Sequence, residues 1–74
     1  MSLNKLGIGK TALIKSIDMS DLDLAIRLSH LGFLENEPIL VIRKTPFTGD
    51  ALLISVRGTQ IALTKKEASL INIY

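Results

Sequence analysis

The sequence predicts a small, mainly β domain with one inserted α-helix, and three observations support that fold class. Short stretches of alternating apolar residues are separated by turn residues, which is typical of small barrels. Only one segment has the leucine spacing of an α-helix. The 74 residues hold one domain at most, so we expect residues 1–74 to form a single five- to six-stranded barrel.

The first strand is predicted at residues 10–17, where many side chains are β-branched and therefore favour extended backbone. Alternate residues of a strand lie on opposite faces. One face here holds Thr11, Leu13, Lys15 and Ile17, and we expect Leu13 to belong to the core.

The helix is predicted at about residues 21–31. Ser20 is a good N-cap residue, and Asp21 and Asp23 place negative charge in the first helical turn. Gly32 stands where a helix commonly ends in left-handed backbone. An apolar stripe at positions i, i+4 and i+7 is expected to face the core. It consists of Leu24, Leu28 and Leu31, and Leu22 and Ile26 are expected to widen it.

The second half of the chain predicts strands at residues 38–45, 51–57, 59–63 and 70–74. Turn residues at 46–50 and at Arg57-Gly58 separate three of them. Thr64 and Glu67 have the spacing of a capping box, so a short helical turn is expected near residues 65–69. The residues that we expect in the core are Leu13, Leu28, Leu31, Val41, Ile54, Ile61 and Ile71.

The composition excludes several classes of protein. The absence of cysteine excludes disulfides, zinc ribbons and iron–sulfur clusters, and it fits a cytoplasmic location. No apolar run is longer than four residues, so we expect no membrane span and no direct membrane insertion. The net charge is +2 and the longest basic run is Lys65-Lys66, so we expect no nucleic-acid partner.

Residues 4–11 look like the end of a phosphate-binding loop, but Asn4 replaces its first glycine. The residues after Thr11 predict a strand, whereas that motif requires the N-terminus of a helix. A two-glycine turn that leads into a strand is the better interpretation, and we expect no nucleotide or other cofactor.

The candidate catalytic and metal-binding residues are sparse. His30 is the only histidine, and it is at best a weak metal ligand because one imidazole cannot form a zinc or iron site alone. An Asp23–Arg27 ion pair on an exposed helix face explains its neighbours. No Gly-x-Ser-x-Gly motif occurs, so we predict no catalytic residues and no enzyme activity.

Surplus apolar surface favours an interaction module instead. The strands predicted at 38–45 and 51–57 carry apolar residues on both faces, and large exposed apolar patches mark protein interfaces. A groove for proline-rich peptides needs clustered aromatic residues. The aromatic residues of this chain are few and widely separated, namely Phe33, Phe47 and Tyr74.

The order and spacing of short motifs along the whole chain resemble the ferrous iron transport protein A (FeoA) family. Where the family often has Pro-Gly, this chain has Glu35-Asn36, and asparagine tolerates the left-handed backbone of such a turn. The matching pieces are Leu3 and Leu6 before a glycine, Ile14-Lys15-Ser16-Ile17, Arg27-Leu28, Leu31-Gly32, Val41-Ile42, Pro46, Gly49-Asp50, Val56-Arg57-Gly58, Ile61-Ala62-Leu63, Glu67-Ala68 and an Ile71–Ile73 ending.

The resemblance implies an SH3-like barrel with an inserted helix. It also implies a cytosolic accessory of a membrane ferrous iron transporter that has its own GTP-binding domain. Contact with that partner would recruit the chain to the inner face of the membrane, and a homo-oligomer is compatible with it. The alternative is a regulatory SH3-like module, related to the C-terminal domain of iron-dependent repressors, that docks to a protein or binds metal.

Two surfaces are candidates for binding the partner. One is the predicted hairpin tip around Phe47, together with Arg57 of the Arg-Gly turn that matches the family. The other is the polar helix face with Arg27 and Asp23. Aromatic and arginine side chains are the commonest interface anchors, so we rank Phe47 and Arg57 first. The alternative for Phe47 is that it folds back and caps the barrel end.

Overall fold

The computed structural model describes residues 1–45 and 51–74, which form five strands and two α-helices. The predicted hairpin tip, including Phe47, lies outside the described residues. All strand pairs are antiparallel, and the sheet order is β4-β3-β2-β1-β5. The elements are β1 Thr11–Ile17, α1 Leu22–His30, β2 Pro38–Lys44, β3 Leu52–Val56, β4 Thr59–Leu63, α2 Lys65–Ser69 and β5 Ile71–Ile73. The predicted mainly β fold with one helix near residues 21–31 is confirmed.

Strand β1 belongs to both halves of the barrel. Its first residues pair with β2, for example Thr11 with Leu40, and its last residues pair with β5, for example Ile17 with Ile71. The register shifts between Ile14 and Ser16. Such a bulge bends a strand, and this bend lets β1 pass from one half of the barrel to the other.

The core differs from the prediction on β1. Ile14 is fully buried, whereas Leu13 is 44% exposed, so the prediction that Leu13 is a core residue is wrong. Both faces of this strand carry apolar residues, so the alternation alone did not decide which one points inward. Ile61 is half-buried against the core. The predicted core residues that are buried are Leu28, Val41, Ile54 and Ile71.

A second residue predicted to be in the core lies at the end of α1 and is not buried. Leu31, predicted to be core, is 46% exposed. The chain leaves the helix through a Schellman motif, in which the N–H of Phe33 donates to Leu28 O and the N–H of Gly32 donates to Ser29 O. Gly32 has φ 103°, as predicted. This turn places Phe33, 1% exposed, in the core beyond Leu28.

The start of α1 lies one residue later than predicted. Asp21, not Ser20, is the N-cap residue, and its carboxylate accepts a hydrogen bond from the N–H of Leu24 at 3.2 Å. The N–H of Ser20 instead donates to the carboxylate of Asp18. Serine and aspartate both cap helices well. Here the carboxylate of Asp18 holds Ser20 in the turn before the helix.

The predicted turn at Arg57-Gly58 and the short helix are confirmed, whereas the predicted turn at residues 46–50 lies outside the described residues. Arg57 and Gly58 have φ 53° and 76°, and two consecutive positive φ values are typical of a type I′ hairpin turn. Asn36 has φ 68°, the left-handed backbone expected for it. At α2, Thr64 and Glu67 form the complete capping box.

The N-terminal residues close the barrel, which the sequence did not predict. Leu3 lies in a short 3₁₀ turn and is fully buried. Ser2 forms a bridge with Asn72, and the N–H of Ile73 donates to Met1 O. Residues 1–2 therefore cover the free edge of β5 and protect it from unwanted pairing.

Candidate functional site

A shallow, charged groove runs between α1 and α2, and we call it the α1–α2 groove. Its α1 side carries Asp23 and Arg27, two residues of the predicted partner site. Its other side is the N-terminal end of α2. The residues that line it are Asp21, Asp23, Leu24, Arg27, Thr64, Lys66 and Glu67.

The ion pairs of this groove join the two helices. Arg27 Nη2 lies 3.6 Å from Glu67 Oε2, and Lys66 Nζ lies 4.0 Å from Asp21 Oδ2. The predicted ion pair of Arg27 with Asp23 is therefore replaced by one with Glu67, forty residues further along the chain. No local pattern signals this contact, because α1 and α2 are distant segments of the chain that meet only in the folded protein.

Glu67 has two roles in the α1–α2 groove. Its Oε1 accepts the N–H of Thr64 at 2.8 Å, which completes the cap of α2, while Oε2 faces Arg27. The cap thus fixes the carboxylate that orients the guanidinium. The Arg27 side chain is still 67% exposed. An ion pair with so much solvent access contributes only about 0–1 kcal/mol, so a partner can compete for this guanidinium at little cost.

Arg57 lies outside the α1–α2 groove, at the other end of α1. Its side chain passes over Gly32, and Arg57 Cδ is 3.0 Å from the position that a Cβ at Gly32 would occupy. Any larger residue at position 32 would therefore displace this arginine. Arg57 also borders a shallow groove with Glu37 and Pro38. The predicted site is thus divided: Asp23 and Arg27 lie together, and Arg57 belongs to a second surface.

His30 is exposed in the last turn of α1. Among residues 1–45 and 51–74, no three His, Cys, Asp or Glu side chains come close enough to hold a metal ion together. The role of His30 as a weak metal ligand therefore stays a prediction.

The large exposed apolar residues lie mainly around α1, not on the strands where the sequence predicted surplus apolar surface. Leu40, Ile42 and Leu53 of the strands are half-buried. Leu22 and Ile26 are 58% and 45% exposed and lie one helical turn apart. The expectation that they widen the buried stripe is wrong, because on a helical projection they stand about 120° or more from the buried Leu24 and Leu28. Three further exposed apolar residues flank α1 in the sequence, namely Met19, Leu31 and Leu34.

Within the described part of the chain, no helix has the length and apolar character needed to cross a membrane.

The sequence profile of the FeoA domain family matches residues 1–74. No curated protein sequence matches the chain. The FeoA of Stenotrophomonas maltophilia is 30% identical, with a TM-score of 0.88 over 100% of this chain and 89% of that one. It is described as a zinc complex, as a prokaryotic SH3 domain protein and as a proposed ferrous iron transport activating factor.

Two further solved structures place the fold more widely. The iron(II) transport protein A of Clostridium thermocellum is 32% identical, with a TM-score of 0.85 over 99% of this chain and 44% of that one. A manganese-dependent transcriptional repressor is 17% identical, with a TM-score of 0.87 over 96% of this chain and 39% of the repressor. At that identity the repressor shares the fold alone.

Proposed function

This chain belongs to the FeoA domain family, and on that basis we propose that it is a cytoplasmic accessory factor of ferrous iron transport. The description of the S. maltophilia relative as a proposed activating factor supports this function. The SH3-like fold supports a role in recognition. We propose that the chain acts by contact with a protein and performs no reaction of its own.

The partner in this proposal is the membrane ferrous iron transporter, through its cytosolic GTP-binding domain. The proposal rests on the position and the exposure of the Arg27 side chain in the α1–α2 groove. Glu67 holds the guanidinium in place, yet two thirds of the side chain is exposed. Arginine is enriched at interface hot spots because its planar group forms several directed hydrogen bonds. A carboxylate of the partner would replace or join Glu67.

Arg57 is a second anchor in this proposal. Its stem lies close to Gly32 and its residue is exposed, so its guanidinium is accessible to a partner. Arg27 lies in the last turn of α1 and Arg57 packs over Gly32, just beyond the end of that helix, so one partner surface could meet both arginines.

Binding of the purified cytosolic domain of the transporter tests this function. Arg27→Glu should weaken binding by at least tenfold, since truncation of an anchor removes about 2 kcal/mol or more. Arg57→Ala should weaken it less. Phe47→Ala tests the sequence-based prediction for the hairpin tip.

The matched control is Arg43→Glu, the same charge reversal at an exposed position of β2. It should leave binding unchanged. Thermal melting of each variant separates loss of contact from loss of fold. If Arg27→Glu melts and binds like the unmodified protein, the α1–α2 groove does not bind the transporter.

A further inference from the structure

Charge is unevenly distributed along this chain. Residues 18–37, which contain α1 and its flanking loops, hold five of the seven acidic residues and a single basic one, Arg27. Their net charge is −4, and the rest of the chain carries +6. The small overall charge of +2 hides this separation, and a molecule with separated charges has a preferred orientation in an electric field.

Folding brings the segments that carry four basic residues to one end of the sheet, although no basic cluster is visible in the sequence. The 3₁₀ turn carries Lys5, and Lys44 Nζ donates to the neighbouring Asn4 O at 3.3 Å. Lys10 lies beside β2, because the N–H of Val41 donates to Lys10 O and the N–H of Gly9 donates to Val41 O. Arg43 follows two residues later on β2. Residues 4–11 and 39–45 contain no acidic residue. We call Lys5, Lys10, Arg43 and Lys44 the basic end.

An exposed apolar side chain lies on the turn between Lys5 and Lys10 of the basic end. Ile8 lies at the tip of the Gly7–Lys10 turn, which is closed by a hydrogen bond from the N–H of Lys10 to Gly7 O, and it is 59% exposed. An exposed apolar side chain surrounded by lysines and arginines is typical of protein surfaces that rest on anionic lipid, where the apolar group enters the boundary between headgroups and acyl chains.

We propose that the basic end binds the surface of an anionic phospholipid membrane, with Ile8 in the headgroup region. This goes beyond contact with the transporter, because it gives the chain its own affinity for the membrane. It departs from the sequence-based expectation of no direct membrane insertion, because Ile8 enters the headgroup region, although the chain does not span the bilayer. The acidic segment at residues 18–37 joins the other ends of β1 and β2, so repulsion turns it away from the lipid.

The expected strength follows from the number of cations. Each lysine or arginine near an anionic bilayer strengthens binding about fivefold, so four act together by several hundredfold at low ionic strength. Burial of one isoleucine adds about tenfold. Charge therefore contributes more than apolar burial, and binding must weaken steeply with salt because Lys5, Lys10 and Arg43 are exposed.

Other anionic partners fit the basic end less well. Surfaces that bind single-stranded nucleic acid combine cations with aromatic side chains that stack on bases, and residues 4–11 and 39–45 contain no aromatic residue. An acidic protein segment would engage the lysines but would not account for the exposed Ile8 between them.

Cosedimentation of the full chain with vesicles tests the proposal. Phosphatidylcholine vesicles with about 30% phosphatidylglycerol should bind the protein at low salt, and pure phosphatidylcholine vesicles should not. Raising the ionic strength from about 0.05 to about 0.5 M should release it. Lys5→Glu combined with Lys10→Glu should weaken binding at least about 25-fold. Ile8→Ser should weaken it about tenfold without changing the salt dependence.

The matched control is Lys15→Glu combined with Arg57→Glu, which changes the net charge equally but elsewhere on the molecule. It should keep vesicle binding within about threefold of the unmodified protein. Equal loss in both double variants would overturn the proposal, because net charge and not the basic end would then explain binding. So would failure to bind anionic vesicles at low salt, or binding of an oligonucleotide or polyglutamate in place of vesicles. The assay contains no transporter, so its outcome is independent of the proposed function.

Discussion

The strands of the barrel and the inserted helix α1 use their apolar residues in different ways. In β3, Leu52, Ile54 and Val56 are at most 4% exposed, and the residues between them are half-buried. In α1, only one side of the helix is buried, and Leu22 and Ile26 remain exposed by 58% and 45%. The strands therefore place their apolar area in the core, while the helix leaves much of it at the surface.

This difference in burial shows which parts of the protein determine its stability and which are available for recognition. The barrel holds together through its strands, and α1 is attached to it by Leu24, Ala25 and Leu28 and by the Schellman motif at its end. Substitutions on the outer side of α1 can therefore change what the protein binds with little effect on folding. Substitutions of the buried residues of the strands cannot do so, because they disturb the core.

The largest expected effect is on β1, where two adjacent residues differ in burial. Ile14→Ala should lower the free energy of unfolding by about 2–5 kcal/mol, because it leaves a cavity in a fully packed core. The melting temperature should fall by at least about 8 °C. Leu13→Ala is the matched control and should cost less than about 1 kcal/mol. If Leu13→Ala is the more damaging of the two, the faces of β1 are reversed.

An intermediate effect is expected at the start of α1. Asp21→Ala should cost about 1 kcal/mol, because the N–H of Leu24 loses its capping carboxylate. Ser20→Ala should have almost no effect on stability, since the Ser20 hydroxyl does not cap the helix. Urea denaturation of both variants measures the difference, and a greater loss for Ser20→Ala would assign the cap to Ser20.

The smallest effect is expected on the outer side of α1. Leu22→Ser and Ile26→Ser should each change the free energy of unfolding by no more than about 0.5 kcal/mol through lost contacts. At position 22 the lower helix propensity of serine adds to this loss. Chemical denaturation checks this, and Leu28→Ala, which should cost about 2–5 kcal/mol, is the control. Losses near those of Leu28→Ala would mean that both side chains pack against the barrel.

Local signals in the sequence predicted most of the fold. Thr64 and Glu67 specify their capping box, Arg57-Gly58 specifies its hairpin turn, and Gly32 ends α1, because each depends only on neighbouring residues. The faces of β1 could not be predicted in the same way. Both of its faces carry apolar residues, and the bulge after Ile14 changes the alternation within the strand.

The candidate site was less predictable than the fold. Arg27 and Asp23 were identified from the helix alone, but the ion pair with Glu67 depends on how α2 docks. The basic end was not visible, because Lys5 and Lys44 are separated by most of the first half of the chain and meet only through the hydrogen bond from Lys44 to Asn4. Contacts between distant segments leave no periodic signal.

The pairing of residues 1–2 with residues 72–73 has a consequence for how the chain folds. These contacts join segments about as far apart as the chain allows, and closing so long a loop is slow because its entropy must be lost before any contact forms. The hairpins β2–β3 and β3–β4 are local and can form early. During synthesis on a ribosome, the second half of β1 has no partner strand until β5 (Ile71–Ile73) has emerged. The barrel can therefore close only after β5 has been synthesised.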